Sequence, residues 1–315
     1  MSTTPKAPPA SGTFSARRRP GDAIFAGLSL SAGVTILVTL VLVAAFLLWQ
    51  ALPALTAAPE EVRGGKGLFH YISPLLFGTF VSSAIALLVG TPLAIGIALF
   101  ISHYAPRKLA SLLGYVIDLL AAVPSVVFGL WGIFVLGPFL MPAQKGLIEY
   151  LGFIPFFGGP ASPQSMLVTG LVLAIMILPI MTAVNREIFL QTPSLHEEAS
   201  LALGATRWEM IQQAVIPFAK SGIISGAMLG LGRALGETMA VAIILSASAR
   251  FTPVITSSAN PGTIAGDIAL QFPESSGMDV NTLIASGLVL FFVTLLVNMF
   301  ARWIVSRRSE FSGAN

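Results

Sequence analysis

The chain has 315 residues, of which 55% are hydrophobic and only 10% charged, and its mean hydropathy is +0.86. So few charges cannot cover the surface of a soluble domain of this size, which excludes that class. The net charge of +3 does not imply nucleic acid, because Lys and Arg gather at the ends of apolar runs, and the lack of Cys excludes disulfides and thiolate-held metals.

Residues 1–22 are rich in Pro, Ser, Thr and Ala and carry Arg17, Arg18 and Arg19, the composition of a disordered basic tail. The apolar run from Ala23 to Leu52 exceeds the roughly 7–15 residues of a signal-peptide core. It reads as a retained first span, with Trp49 near its outer edge. Residues 53–73 form a loop, and a second span runs from about Pro74 to Ser102. After a basic turn at 103–108, a third span covers about Leu109 to Leu140 and contains Pro124, which predicts a kink. A loop with four Pro at 141–164 leads to a fourth span from about Ser165 to Leu190. The fifth span ends near Ala249. In the polar loop at 250–280, Ile264, Ile268 and Phe272 recur every four residues, which predicts a short amphipathic helix lying on the surface. The sixth span covers about Thr282 to Val305 and leaves 306–315 as a second tail. The fold class is an all-α polytopic membrane protein with about six transmembrane helices between residues 23 and 305.

Orientation follows from the basic residues. With both termini inside, twelve Lys and Arg fall on the cytoplasmic side and four outside (Arg63, Lys66, Lys145 and Arg250). That bias sets N and C termini in the cytoplasm, together with the stretch around 194–216.

This stretch carries two helix-start signals. Ser194 precedes Glu197 by three residues and Thr206 precedes Glu209 by three, each the spacing of a capping box. Gly204 lies between them, where a helix can end in the left-handed conformation. Pro193 stands before the first helix and Pro217 is expected to end the second. Trp208, Ile211 and Val215 share one face of that second helix. Two readings fit: a surface loop resting on the span ends, or a rigid knob gripped by a partner.

The next span holds Arg233 and Glu237, four residues apart and therefore expected on one helical face, where they can pair. Charges inside the bilayer normally face a protein interior or an aqueous cavity. An arginine fork suits a tetrahedral oxyanion, and the competing reading is an ion pair that locks two helices. Glycines at 222, 226 and 230, and the series Gly232, Gly236, Ala240, are spaced for close helix packing. The run from Gly230 to Gly236 has the wrong spacing for a dinucleotide fingerprint, and the chain contains no phosphate-binding loop motif. The three His are too scattered for a metal site. Asp118, Asn185 and Asn298 are expected to make helix–helix or interfacial hydrogen bonds.

The cytoplasmic segment resembles the E-A-A loop of ABC-importer permeases, with Glu198, Ala199, Gly204 and Pro217 at the matching offsets. It departs from that pattern at Ser200, Ala214 and Ile216. Over nearly its whole membrane region the chain also resembles the phosphate-specific, Pst-type permeases. The segments that carry this run from Val123 to Gly132 (VPSVVFGLWG), from Gly230 to Val241 (GLGRALGETMAV) and from Leu203 to Trp208 (LGATRW). They are more similar to the PstC-type than to the PstA-type subunit.

The resemblance implies a type I, MetI-like importer architecture without an enzymatic activity or cofactor of its own. It implies that Glu197, Glu198, Ala199, Gly204, Ala205 and Pro217 lie at or near the contact with an ATPase. Arg233, Glu237 and Thr238 would line the solute path, with Pro124, Gly226, Gly230 and Gly236 as kink or packing positions. The implied partners are a PstA-type permease, two PstB-type ATPases that bind the ATP and Mg, and a PstS-type phosphate-binding protein. A permease for another oxyanion, such as molybdate or sulfate, is the nearest alternative. A secondary phosphate symporter or a structural scaffold are further ones.

Overall fold

The computed structural model describes residues 20–245 and 251–309, and every regular element among them is helical. Among the described residues, six helical stretches are long and apolar enough to cross a bilayer: Ile24–Thr56, Leu68–Tyr104, Ser125–Leu151, Met166–Leu190, Arg207–Gly236 and Met278–Ile304.

The chain divides into two compact units, one ending at Phe46 and one beginning at Leu47. In the first, the part of helix α1 (Pro20–Thr56) up to Phe46 presents Ile24, Leu28, Val34, Leu42 and their neighbours to the outside, as suits a helix with lipid against it. It starts slightly earlier than expected because proline is favoured in a first helical turn and Asp22 complements the helix dipole there. Residues 1–19 of the expected tail lie outside the described residues.

The second unit is organised around α6 (Met166–Leu190), capped by the Ser165 hydroxyl on the Val168 N–H. Its apolar window is 61% buried, against 33% at most in any other span. Helix α2 (Leu68–Leu99) packs on one side of α6, and α9 (Ile216–Gly236) packs through glycines on another. A Cβ on Gly222 would lie 2.2 Å from Ile188, one on Gly226 3.1 Å from Asn185, and one on Gly230 2.7 Å from Met181. The four-residue glycine spacing therefore does bring these two backbones together. The second series does not: Gly232 and Gly236 have nothing within 4 Å.

The third span departs from its expected limits of 109 and 140. Helix α3 (Arg107–Ala121) closes with N–H bonds from Ala122 and Val123 to carbonyls three residues back, and α4 (Ser125–Trp131) begins anew after Pro124. The kink is a full break, because proline disfavours the α conformation of the residue before it. The expected loop at 141–164 is helical up to Leu151, in α5 (Gly137–Leu151) with Pro142 inside.

Among the described residues, three widened turns, with hydrogen bonds reaching back five residues, occupy Phe100–Tyr104, Gly132–Leu136 and Ile211–Val215. Each stands just before a proline, at 106, 138 and 217. A proline offers no N–H and its ring clashes with the carbonyl four residues back, and a wider turn relieves both problems. Pro217 therefore does not end a helix. Helix α8 (Arg207–Met210) passes through the widened turn into α9 as one continuous stretch.

The expected polar loop at 250–280 does not carry a surface helix either. Residues 260–267 are all buried, and α11 (Ile264–Gln271) inserts Ile264 among Tyr71, Leu75 and Leu283. The entering backbone crosses α2 at Gly78, where a Cβ would stand 2.2 Å from the Gly262 carbonyl oxygen. Thr79 accepts the Ile264 N–H at 3.1 Å, which satisfies the backbone at that crossing. The last helix, α12 (Met278–Ser309), flanks α11 and α9.

Candidate functional site

The expected charged pair sits at a break in the fifth span. Helix α9 ends at Gly236, Glu237 is extended (φ −68°, ψ 126°), and a new helix, α10 (Met239–Ile244), follows. Arg233 and Glu237 therefore do not share a helical face, and no ion pair joins them. Glu237 turns forward and accepts the Ala240 N–H at 3.4 Å, while the Thr238 hydroxyl donates to the Gly236 carbonyl at 3.1 Å. The reason is local: once the helix stops, the first N–H groups of α10 need an acceptor, and Glu237 is three residues away. Arg233 is half-buried with its Nε unpartnered. An unpaired cation beside irregular backbone at this point of a span belongs where the break faces a cavity or a protein partner.

Helix α10 packs against α4. A Cβ on Gly129 would lie 3.0 Å from the Ala240 Cα, and one on Gly132 would lie 2.7 Å from Val172 and 2.9 Å from Ile244. Two segments far apart in the chain, 123–132 and 230–241, thus meet, each interrupted by its own helix break. Nothing in either segment alone announces this contact.

The other expected site is the helical knob. Helix α7 (Ser194–Ala202) buries none of its residues, leaving Glu198 and Ala199 open and Leu195 73% exposed. It ends at Gly204 with φ +89°, closed by Gly204 N–H to Leu201 and Ala205 N–H to Ser200. That is the left-handed terminator expected for this glycine. Leu203 next to it is 90% exposed. The capping box of Thr206 and Glu209 is formed. The one expected at Ser194 is not: Pro193 takes the cap position, Ser194 is already helical, and its hydroxyl makes no cap bond. Glu197 points instead to His103, with Oε1 3.5 Å from Nε2, and His103 Nδ1 lies 2.6 Å from the Ser102 hydroxyl.

Below the knob, Ile211 and Val215 are fully buried with Met210 against Leu99, Phe189 and Ala219, whereas Trp208 is 52% exposed. Two of the three expected apolar positions therefore anchor the knob to the ends of α2 and α6, and the third is free. Of the isolated polar residues, Asn185 differs from expectation. Asn185 is fully buried without a hydrogen-bond partner, and Asp118 and Asn298 are exposed. Among the described residues, no group of three His, Cys, Asp or Glu could hold a metal ion.

Known proteins share this architecture. Residues 90–310 match the family described as "Binding-protein-dependent transport system inner membrane component". The phosphate transport system permease protein PstC 2 of Mycobacterium tuberculosis is 42% identical over 300 residues, covering 91% of this chain and 92% of that protein. The PstC proteins of Mycobacterium leprae and Mesorhizobium japonicum are 43% and 37% identical, over 84% and 93% of this chain and 87% and 92% of their own lengths. Among solved structures, a bacterial ABC transporter that imports the acidic polysaccharide alginate aligns with a TM-score of 0.59 at 16% identity, over 91% of this chain and 96% of that one. The MetNI methionine ABC transporter, in an inward-facing form, aligns with a TM-score of 0.51 at 18% identity, over 76% and 95%. The fold is that of an ABC-importer permease.

Proposed function

The chain belongs to the inner membrane components of binding-protein-dependent transport systems, and on that premise we propose that it is the PstC-type permease subunit of an ATP-driven phosphate importer. The carrying observation is the unpartnered Arg233 beside the α9–α10 break, in a chain 42% identical over 300 residues to a phosphate transport permease. A guanidinium without a carboxylate partner keeps its planar donor set available to the oxygens of phosphate. Glu237, held on its own cap bond, leaves that fork open, and Thr238 adds a hydroxyl at the same break.

Both termini and the knob face the cytoplasm, in line with twelve basic residues on that side against four on the other. The open face of α7, with Glu197, Glu198, Ala199, Gly204 and Ala205 on or near it, docks on one of two PstB-type ATPases. Those subunits hold the ATP and Mg, and this chain contributes no nucleotide site. A PstA-type permease completes the pathway, and a PstS-type protein delivers phosphate from outside.

The continuous stretch from Arg207 to Arg233 spans about 39 Å at roughly 1.5 Å per residue. A displacement of the knob therefore reaches the break through one helical rod, seated at Pro217 by a widened turn instead of a joint. Closure of the ATPases moves the rod, and the α9–α10 break opens or shuts the path.

The test is phosphate uptake into proteoliposomes containing all partner subunits, with molybdate and sulfate as competitors. ATP-dependent uptake that only phosphate competes supports the reading. Uptake that survives an inactivated ATPase, or that prefers another oxyanion, sinks it.

A further inference from the structure

A polar cleft of about 540 Å³ opens between α3 and the adjoining ends of α2 and α6. It lies on the α7 side of the molecule, since Ser102 in its wall neighbours the His103 that meets Glu197. Arg107, Ser111, Tyr115 and Asp118 of α3, Ser102, and Arg186 of α6 line it. The α3 residues recur at three- and four-residue steps and so share one face.

The adjacent face of α3, one residue round from that stripe, is apolar and outward. Leu112, Val116 and Leu119 are 58%, 49% and 52% exposed. This suits a helix with lipid along one face and a polar crevice beside it. Gly114 shapes that crevice: a Cβ there would stand 2.8 Å from Nη1 of Arg186, so the missing side chain gives the guanidinium its seat. Neither Arg107 nor Arg186 has an ion-pair partner among the described residues. Lys108 and Glu187 beside them are exposed, and Glu187 accepts a bond from Gln191.

The lining thus carries two guanidinium groups and one carboxylate, for a net charge of +1. One phosphodiester balances that charge, and hydroxyls on its headgroup suit Asp118, Ser111 and Ser102. We propose that the cleft binds an anionic phospholipid of the phosphatidylglycerol type, its phosphate between Arg107 and Arg186 and its acyl chains along the outer stripe of α3. Basic crevices between membrane helices are suited to acidic headgroups. The inference rests on the chain's being a membrane protein and not on phosphate as its solute.

The experiment uses the whole complex with its partner subunits, in nanodiscs of phosphatidylcholine containing phosphatidylglycerol, and counts the lipids retained in native mass spectra. Phosphatidylglycerol is expected to be retained over phosphatidylcholine, and Arg186→Gln or Arg107→Gln lowers its retention about fivefold each. Gly114→Ala lowers it too by dislodging Arg186, with every charge still present. Three results would overturn the proposal. They are unchanged retention in both arginine variants, displacement of the lipid by millimolar inorganic phosphate, and retention only when the partner permease is stripped away, which would give the α3 face to that subunit.

Discussion

Gly129 of α4 lies against the backbone of Ala240 of α10, so close that a Cβ at residue 129 would stand 3.0 Å from the Ala240 Cα and 3.2 Å from its carbonyl oxygen. The obstacle is backbone and cannot swing aside. Gly129→Val should therefore force the two helices apart, at a cost of about 1–3 kcal/mol. Thermal unfolding of the purified complex measures this. A melting point equal to that of wild type would show that α4 and α10 are not held at this distance.

Gly204 poses the opposite situation. Nothing lies within 4 Å of its absent side chain, but its φ is +89°. Gly204→Val meets no neighbour and fails on conformation alone, at about 1–2 kcal/mol for a left-handed non-glycine residue. The predicted outcome is an intact, assembled complex whose ATP hydrolysis is no longer matched by phosphate import. Unchanged import per ATP would count against α7 as the docking element.

The contrast between these glycines shows what the sequence reveals. The membrane class, the number of spans, the left-handed turn at Gly204 and the capping box at Thr206 are all local or compositional, and each is present as read, although the third span lies at Ser125–Leu151 and not at 109–140. The Gly222, Gly226 and Gly230 series is legible too, because a four-residue repeat defines a helix face whatever packs on it. Missing from the sequence reading is what depends on a distant segment. The Ser194–Glu197 spacing places Glu197 at its own helix start, yet it meets His103, which is 94 residues away. Residues 260–267 read as a surface loop because they are polar, but Gly78 and Thr79 of another helix give them space and a hydrogen bond. Proline misled at 217, where the helix runs on, while at 124 the expected kink goes as far as a break. Its effect depends on whether the preceding turn widens or ends, and no residue pattern in the sequence decides between them.

Arg233 and Glu237 allow a sharper test of the broken helix. Four residues apart on an intact helix they would couple. Separated by the break, they should show an interaction energy under about 0.5 kcal/mol in a double-mutant cycle on stability. Arg233→Gln alone should abolish phosphate uptake while the complex still assembles. Glu237→Gln keeps an acceptor for the Ala240 N–H and should leave stability nearly unchanged. Strong coupling would restore the paired helix, and wild-type uptake by Arg233→Gln would return that residue to a packing role.

His103 and Glu197 tie α7 to the end of α2 at 3.5 Å. A partly exposed pair of this kind contributes at most about 1 kcal/mol, so His103→Ala should hardly change the melting temperature. Its effect should appear in coupling, as a lower ratio of phosphate imported to ATP hydrolysed, because the knob loses a lateral tether. A ratio identical to wild type would confine the pair to a structural role.

Asp267 gives the pH prediction. Burial among α2, α10 and α12 raises its carboxyl above the usual carboxylate range, although the hydrogen bond from the Tyr71 hydroxyl and the nearby Arg63 act in the opposite direction. The raised value means that the folded chain holds this proton more tightly than the unfolded chain. The stability so contributed is complete below the ordinary carboxylate pKa of about 4 and is lost as pH rises through the folded-state value. Asp267→Asn fixes the neutral form and can still accept from Tyr71. Relative to wild type, the variant should therefore gain stability as pH rises from about 4 toward neutrality, and melting curves across that range provide the comparison. A difference that stays flat, or that runs the other way, would mean that the carboxylate is already ionised and compensated where it lies.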